Sequence, residues 1–210
     1  MYGKTYNIVN FYTLSQDTFK GAIMKHFIPI GLMLISGSAL AAPETFIIDS
    51  NHSIPRFSYN HFGYSTQMSR FDKISGKIVI DKEAKQGSMN VTIDTTSVST
   101  GFALFNEHIK DVDFFDTAKY PTATFISEKL NFKADKLSSI DGTLTIKGIS
   151  KPVTLTVTSL MCMPHPMKKK DACGANASVV VKRSDFNMGK HVPYVGDEVT
   201  IDLPVEAIKE

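Results

Sequence analysis

Val199-Thr200-Ile201-Asp202-Leu203-Pro204-Val205-Glu206 alternates between apolar and polar side chains without a break. A period of two belongs to a strand with one face against an apolar interior and the other toward water. The same period runs through Arg56-Phe57-Ser58-Tyr59-Asn60-His61, through Met89 to Asp94, through Thr143-Leu144-Thr145-Ile146 and through Val153 to Thr158. β-branched and aromatic residues dominate these runs, and such side chains suit a pleated, half-buried surface. Glycine pairs punctuate them at Ser75-Gly76, Gln86-Gly87, Asp141-Gly142, Lys147-Gly148 and Val195-Gly196-Asp197, and they read as turns.

The runs fall near 45–49, 54–62, 66–72, 74–81, 88–95, 122–130, 136–147, 151–161, 176–184 and 197–208. Counting neighbours that form one long bent strand, they predict about eight strands in a sandwich or barrel. Residues 102–115 break the pattern. Leu104, Phe105, His108, Ile109 and Val112 recur at helical spacing, which predicts one or two short helices against the strands. Tyr120-Pro121 ends that segment.

The N-terminal region reads differently. Met24-Lys25-His26 is a basic start, Phe27 to Ile35 is uncharged and apolar, and Ser38-Ala39-Leu40-Ala41 offers the small residues of a cleavage site. This order is that of a secretory signal peptide over 24–41. The apolar run is shorter than the ~20 residues a membrane-spanning helix needs. Residues 1–23 then read as an over-extended gene start, and 42–210 as a single exported domain destined for the periplasm. Loss of residues 1–41 removes Lys4, Lys20, Lys25 and Asp17, so the formal charge falls from +2 to zero. No basic footprint for nucleic acid is present.

A barrel of eight strands is just wide enough to be filled by its own side chains or to hold one small ligand. Phe57, Tyr59, Phe125 and Phe132 fall on inward faces, and the helical insert adds Phe102, Phe105, Phe114 and Phe115. Composition does not separate a solid core of rings from an open pocket.

Cys162 and Cys173 are the only cysteines, and they flank Met163-Pro164-His165-Pro166-Met167-Lys168-Lys169-Lys170-Asp171-Ala172. In an oxidising compartment they read as a disulfide clamping a hairpin. The competing reading is a soft-metal site for Cu(I) built from Met161, Cys162, Met163, His165, Met167 and Cys173. Lys168-Lys169-Lys170 would suit anionic lipid headgroups. No His-x-x-x-His or Cys-x-x-Cys spacing occurs, so no conventional metal site is expected. No catalytic serine elbow or phosphate-binding glycine loop is found. Asp111, Asp113 and Asp116 fall near His108 on the expected helix, where a general acid–base pair such as His108 with Asp113 could be assembled; helix caps and solvated charges explain the same residues.

Several stretches resemble the YceI-like family of exported, polyisoprenoid-binding proteins. They are His52-Ser53 with Phe57-Ser58, His61-Phe62-Gly63, Val91 to Thr100, His108, Asp113-Phe114-Phe115-Asp116-Thr117-Ala118-Lys119-Tyr120-Pro121, Gly142 to Val153, and Lys182-Arg183-Ser184-Asp185-Phe186. The resemblance covers about 44–208. It implies an all-β fold, a closed antiparallel lipocalin-like β-barrel whose apolar channel holds a long isoprenoid lipid, a quinone tail or a polyprenyl chain. The family brings no general catalytic set and no required cofactor. On the carrier reading the expected lining is Phe57, Tyr59, Phe102, Phe105, Phe114, Phe115, Phe125 and Leu155, with His61 and His108 near the mouth for a headgroup. The cysteine-flanked excursion is an addition found in part of the family and a candidate modifier of the pocket mouth.

Each isoprene unit moved from water into such a channel gains ~3–4 kcal/mol gross, at ~0.8 kcal/mol per carbon. Sharp polar motifs are therefore not needed for tight binding. Two other readings compete with the carrier. One is an exported enzyme acting on a small apolar substrate through His108 and Asp113. The other is a stress-related interaction protein whose filled barrel supports a binding surface. A transient membrane surface and a second copy of the chain complete the set of expected partners.

Overall fold

A computed structural model describes residues 42–210. The expected over-extended start at 1–23 and the expected signal peptide at 24–41 lie outside the described residues. Strands β1 (Glu44–Ile48), β2 (Arg56–His61), β3 (Ser65–Phe71), β4 (Ile74–Asp81), β5 (Gln86–Asp94) and β6 (Val98–Ser99) precede helix α1 (Ala103–Lys110). β7 (Thr122–Lys133), β8 (Lys136–Ile146), β9 (Ile149–Pro164), β10 (Asp171–Lys182) and β11 (Val195–Lys209) follow it. All pairings are antiparallel.

The ladder runs β1-β4-β5-β7-β8-β9-β10-β11 and returns to β1. β2 pairs with the other part of the same β11 edge, then with β3, which pairs with β6. Thus β1 and β2 are two parts of one bent strand, as are β3 and β4, and β5 and β6. With those three counted once, the barrel is a closed meander of eight strands. Each adjacent pair is consecutive in the chain, and the last strand closes on the first.

Buried hydroxyls hold two of the three bends. Ser53, fully buried, both donates to the Glu206 carbonyl at 3.1 Å and accepts from the Glu206 N–H at 2.9 Å. It therefore replaces the ladder bonds that β11 loses between β1 and β2. At the β5–β6 bend Thr95 donates from Oγ1 to the Tyr120 carbonyl at 2.8 Å. Here a 3-10 turn over Thr95–Ser97 separates β5 from β6, and Asp94 caps it by accepting from the Thr96 N–H at 2.9 Å.

Ser75-Gly76 and Asp141-Gly142, read as turns, lie inside β4 and β8. Their glycines mark close approach instead. A Cβ on Gly142 would sit 2.5 Å from the Phe125 ring. Gln86-Gly87 opens β5 rather than turning. Lys147-Gly148 is a true two-residue turn, with φ of 51° and 73°, the pattern that matches strand twist.

One α-helix forms within 102–115. Its stripe is narrower than the spacing suggests: Ile109 is buried and Phe105 half-buried, while Leu104 and Val112 are exposed. Eight residues make only two turns, and Phe105 and Ile109, four apart, fill the face toward the barrel. Phe132 also departs from expectation and joins neither apolar core. Register shifts between Ile126 and Lys129, and again between Asn131 and Phe132, break the period of two that carried Phe125 inward.

Two apolar cores result. The larger surrounds the barrel axis. The smaller, of Phe46, Cys173 and Ala207 with Ile78, Ile80 and Cys162, plugs the end that carries the β4–β5, β7–β8 and β9–β10 turns. Cys162 and Cys173 are disulfide-bonded across a directly paired position of β9 and β10. A bridge closing a loop of this size contributes ~3 kcal/mol in the chain-entropy view.

Candidate functional site: an apolar cavity with one mouth

Alternation aims one side chain in two at the axis, and the axis is not filled. A cavity of about 410 Å³ runs inside the barrel. β11 contributes Val195, Val199, Ile201, Leu203 and Val205, a spread of ten residues that covers ~33 Å of strand at ~3.3 Å per residue. With strands tilted ~35–45° to the axis, the lined path is about 25 Å long. Met89, Val91 and Ile93 of β5, Leu144 and Ile146 of β8, Leu155 of β9 and Ala175, Ala177, Val179 and Val181 of β10 complete the wall. Phe46 and the disulfide lie below its floor.

Nine of the ten residues expected to line a ligand channel border this one cavity: Phe57, Tyr59, His61, Phe105, His108, Phe114, Phe115, Phe125 and Leu155. Phe102 does not. It is the N-cap residue of α1 and 61% exposed, because the chain turns into the helix there with the ring outward. Phe57, Phe71 and Phe115 form a wedge with centroid separations of 5.3–5.8 Å that docks the segment after α1 onto β2 and β3. Burial pushes the Tyr59 phenol up from its ordinary value, and the nearby Arg183 opposes that shift.

The mouth is at the end opposite the disulfide. His61 packs edge-on against Phe62 at 4.6 Å, and Phe62 stacks on Tyr194 at 6.1 Å. On the other side His108 lies between Phe105 at 5.8 Å and Phe114 at 4.9 Å, and Phe114 faces His191 at 6.5 Å. Three imidazoles, His61, His108 and His191, thus border the opening. Their ring nitrogens place hydrogen-bonding groups at this end of an otherwise apolar cavity.

Met188, Lys190 and His191 were not legible as lining. They sit on the 187–194 connection, which has no period to read. Its length beyond a tight hairpin was the available signal, since long connections at a barrel end often cover it.

Buried cations hold the mouth in place. Arg183 donates from Nε to the Gly196 carbonyl, from Nη1 to those of Met188 and Lys190, and from Nη2 to that of Val195. Burial lowers its pKa, but a guanidinium stays charged. Lys147 Nζ donates to the Val112 carbonyl at 2.6 Å and the Asn187 carbonyl at 2.9 Å, joining the β8–β9 turn to both loops that cover the opening. Lys190 forms an ion pair with Asp113. That ammonium holds the Asp113 carboxyl below the ordinary range. The Asp113 carboxylate thus faces Lys190, and His108 contacts two phenyl rings, so the acid–base pair suggested by sequence is not assembled.

The cysteine-flanked hairpin does not shape the mouth. It lies at the plugged end, together with Lys168, Lys169 and Lys170. No cysteine among the described residues is free, so a thiolate copper site is absent there. No helix among the described residues is long and apolar enough to cross a membrane.

Closed eight-stranded antiparallel barrel and apolar interior define a lipocalin-like architecture. The chain belongs to the YceI-like family, whose domain model matches residues 46–207. It is 36% identical to Protein YceI of Escherichia coli O157:H7 over 180 residues, which cover 85% of this chain and 93% of that protein. Among solved structures, Burkholderia cenocepacia BcnA superposes with a TM-score of 0.66 at 27% identity, covering 76% of this chain and 98% of BcnA. A polyisoprenoid binding domain from Saccharophagus degradans gives a TM-score of 0.60 at 19% identity, covering 79% and 98%.

Proposed function

We propose that this protein is an exported periplasmic carrier whose barrel sheathes the chain of an isoprenoid lipid, with the lipid's polar end at the histidine-lined mouth. The observation that carries the reading is the cavity itself: an apolar path of about 25 Å, plugged at one end. Its volume lies within the ~300–1,000 Å³ typical of ligand sites. The YceI-like family and the polyisoprenoid binding domain among its structural neighbours support the same reading.

The mouth favours an uncharged headgroup. Arg183 and Lys147 are engaged by backbone carbonyls and Lys190 by Asp113. A diphosphate would meet no uncommitted cation among these three. A quinone or prenyl alcohol would meet the imidazoles. Organic extraction of the purified protein followed by mass spectrometry tests this. The expected result is a co-purified prenyl lipid, with added quinone binding in competition and prenyl diphosphate competing poorly. An empty extract together with no binding of added quinone would overturn it.

A further inference from the structure

Tyr59 is nine-tenths buried, and its ring borders the cavity. A buried tyrosine hydroxyl usually finds a hydrogen-bond partner, because giving up water without a replacement is costly. Here the protein supplies none: no side chain or backbone group among the described residues bonds to the Tyr59 oxygen. The ring packs through its carbon face, stacked on Phe57 at 6.4 Å.

Strand register places this hydroxyl along the barrel. On β2, His61 pairs with Val195 of β11, Tyr59 with Val199 and Phe57 with Ile201. His61 borders the mouth, so Tyr59 stands one inward-facing position deeper, ~7 Å along the strand. From that level β11 continues toward the floor through Ile201, Leu203 and Val205. Tyr59 thus lies between the imidazoles and the part of the lumen suited to a hydrocarbon chain.

Arg183 gives the hydroxyl its polarity. The guanidinium is buried and also borders the cavity. Its hydrogen bonds go to four backbone carbonyls, and the Asp197 carboxylate, bonded to Ser184, acts on it only through its charge. Burial raises the Tyr59 pKa and the Arg183 charge opposes that rise. The phenol therefore keeps its proton, while the nearby cation polarises the O–H bond toward giving it up. Such a hydroxyl is best used as a donor to an acceptor oxygen.

On the carrier reading, we propose that Tyr59 is the inner anchor of the headgroup, its hydroxyl donating a hydrogen bond to a ring carbonyl of a prenylated quinone. A prenylated 1,4-quinone carries oxygens on opposite sides of its ring, and the tail leaves from the carbon beside one of them. With the tail directed at the floor, the carbonyl beside it meets Tyr59 and the opposite one meets the mouth imidazoles. A prenyl alcohol has a single oxygen, which the imidazoles serve, and it leaves Tyr59 unpaired. Tyr59 is therefore a specificity residue that favours a quinone over an alcohol or a plain hydrocarbon.

The test compares wild type with Tyr59→Phe, both washed free of co-purified lipid. Each is titrated with a short-chain prenyl quinone, ¹³C-labelled at the carbonyl beside the tail, and with the matching prenylbenzene, which lacks the ring oxygens. Wild type should bind the quinone about fivefold more tightly than Y59F, the worth of one net hydrogen bond. Prenylbenzene should bind equally to both. In the infrared difference spectrum of the wild-type complex the labelled carbonyl stretch should fall below its value in apolar solvent, and it should return in Y59F. The melting temperature of unliganded Y59F should not fall, since the hydroxyl has no protein partner to lose. Equal quinone affinity in the two proteins, an unshifted labelled carbonyl in wild type, or a lower melting temperature in Y59F would each overturn the anchor and leave the carrier reading standing. Failure of wild type to bind either compound would overturn both.

Discussion

Ser53 shows how a single hydroxyl can hold a fold together. Its oxygen serves both the N–H and the carbonyl of Glu206, at the point where the first strand bends away from the last. A Ser53→Ala substitution leaves both backbone groups buried without that partner. An unsatisfied buried polar group costs about 1–3 kcal/mol. For a domain of this size that corresponds to a fall in Tm of roughly 2–10 °C. Calorimetry checks it, and an unchanged Tm would show that the bend does not depend on this hydroxyl. Ser53 was visible in the sequence only through the family resemblance, because a buried serine at a strand bend has no period of its own. Phe102 illustrates the reverse: its ring suggested lining, but its backbone places it at a helix start with the side chain outward.

At the level of elements, β7, β8 and β9 are tied by Asp141. Its carboxylate accepts from Asn131 Nδ2 at 3.0 Å and from Thr154 Oγ1 at 2.8 Å, and Lys129 Nζ approaches to 2.9 Å. These partners, Asn131 foremost, lower its pKa from 3.8 to about 2. Because the folded-state value is depressed, the stabilising contribution is complete above the unfolded-state value near pH 4. It is lost as the pH falls through about 2. The Tm of the wild-type protein should therefore drop more steeply between pH 4 and pH 2 than that of D141N. Parallel curves would assign the acid sensitivity to other carboxylates. Alternation located nearly every strand, since Leu144, Leu155 and Val199 all point where the period of two sends them. It failed at Phe132 because a bulge adds a residue without leaving a mark in the sequence.

The whole barrel decides between a sleeve and a solid core, and the sequence could not make that choice. Inward residues look alike whether they meet across the axis or stop short of it. The space left over depends on strand number, tilt and the size of every wall residue together. Ala177 on β10 borders the cavity and offers a direct test. Ala177→Phe should occupy part of the lumen, reduce co-purified lipid several-fold, and cost little stability where the ring enters open space. A well-packed interior would instead be strained by ~1–3 kcal/mol. Lipid content and Tm measured on the same preparation distinguish these outcomes.

Closure of the last strand on the first also has a consequence in time. Phe46 pairs with Lys209 and Ile48 with Ala207, so the final seam joins residues at opposite ends of the described chain. The hairpins between can form locally, but sealing the seam requires the entropy of one long loop to be given up. Such non-local pairings place a fold among the slow ones, with folding in milliseconds to seconds rather than microseconds. Until β11 is in place, the edges of β1 and β10 are open to pairing with another chain. The interval before the seam closes is therefore when this protein is most exposed to aggregation.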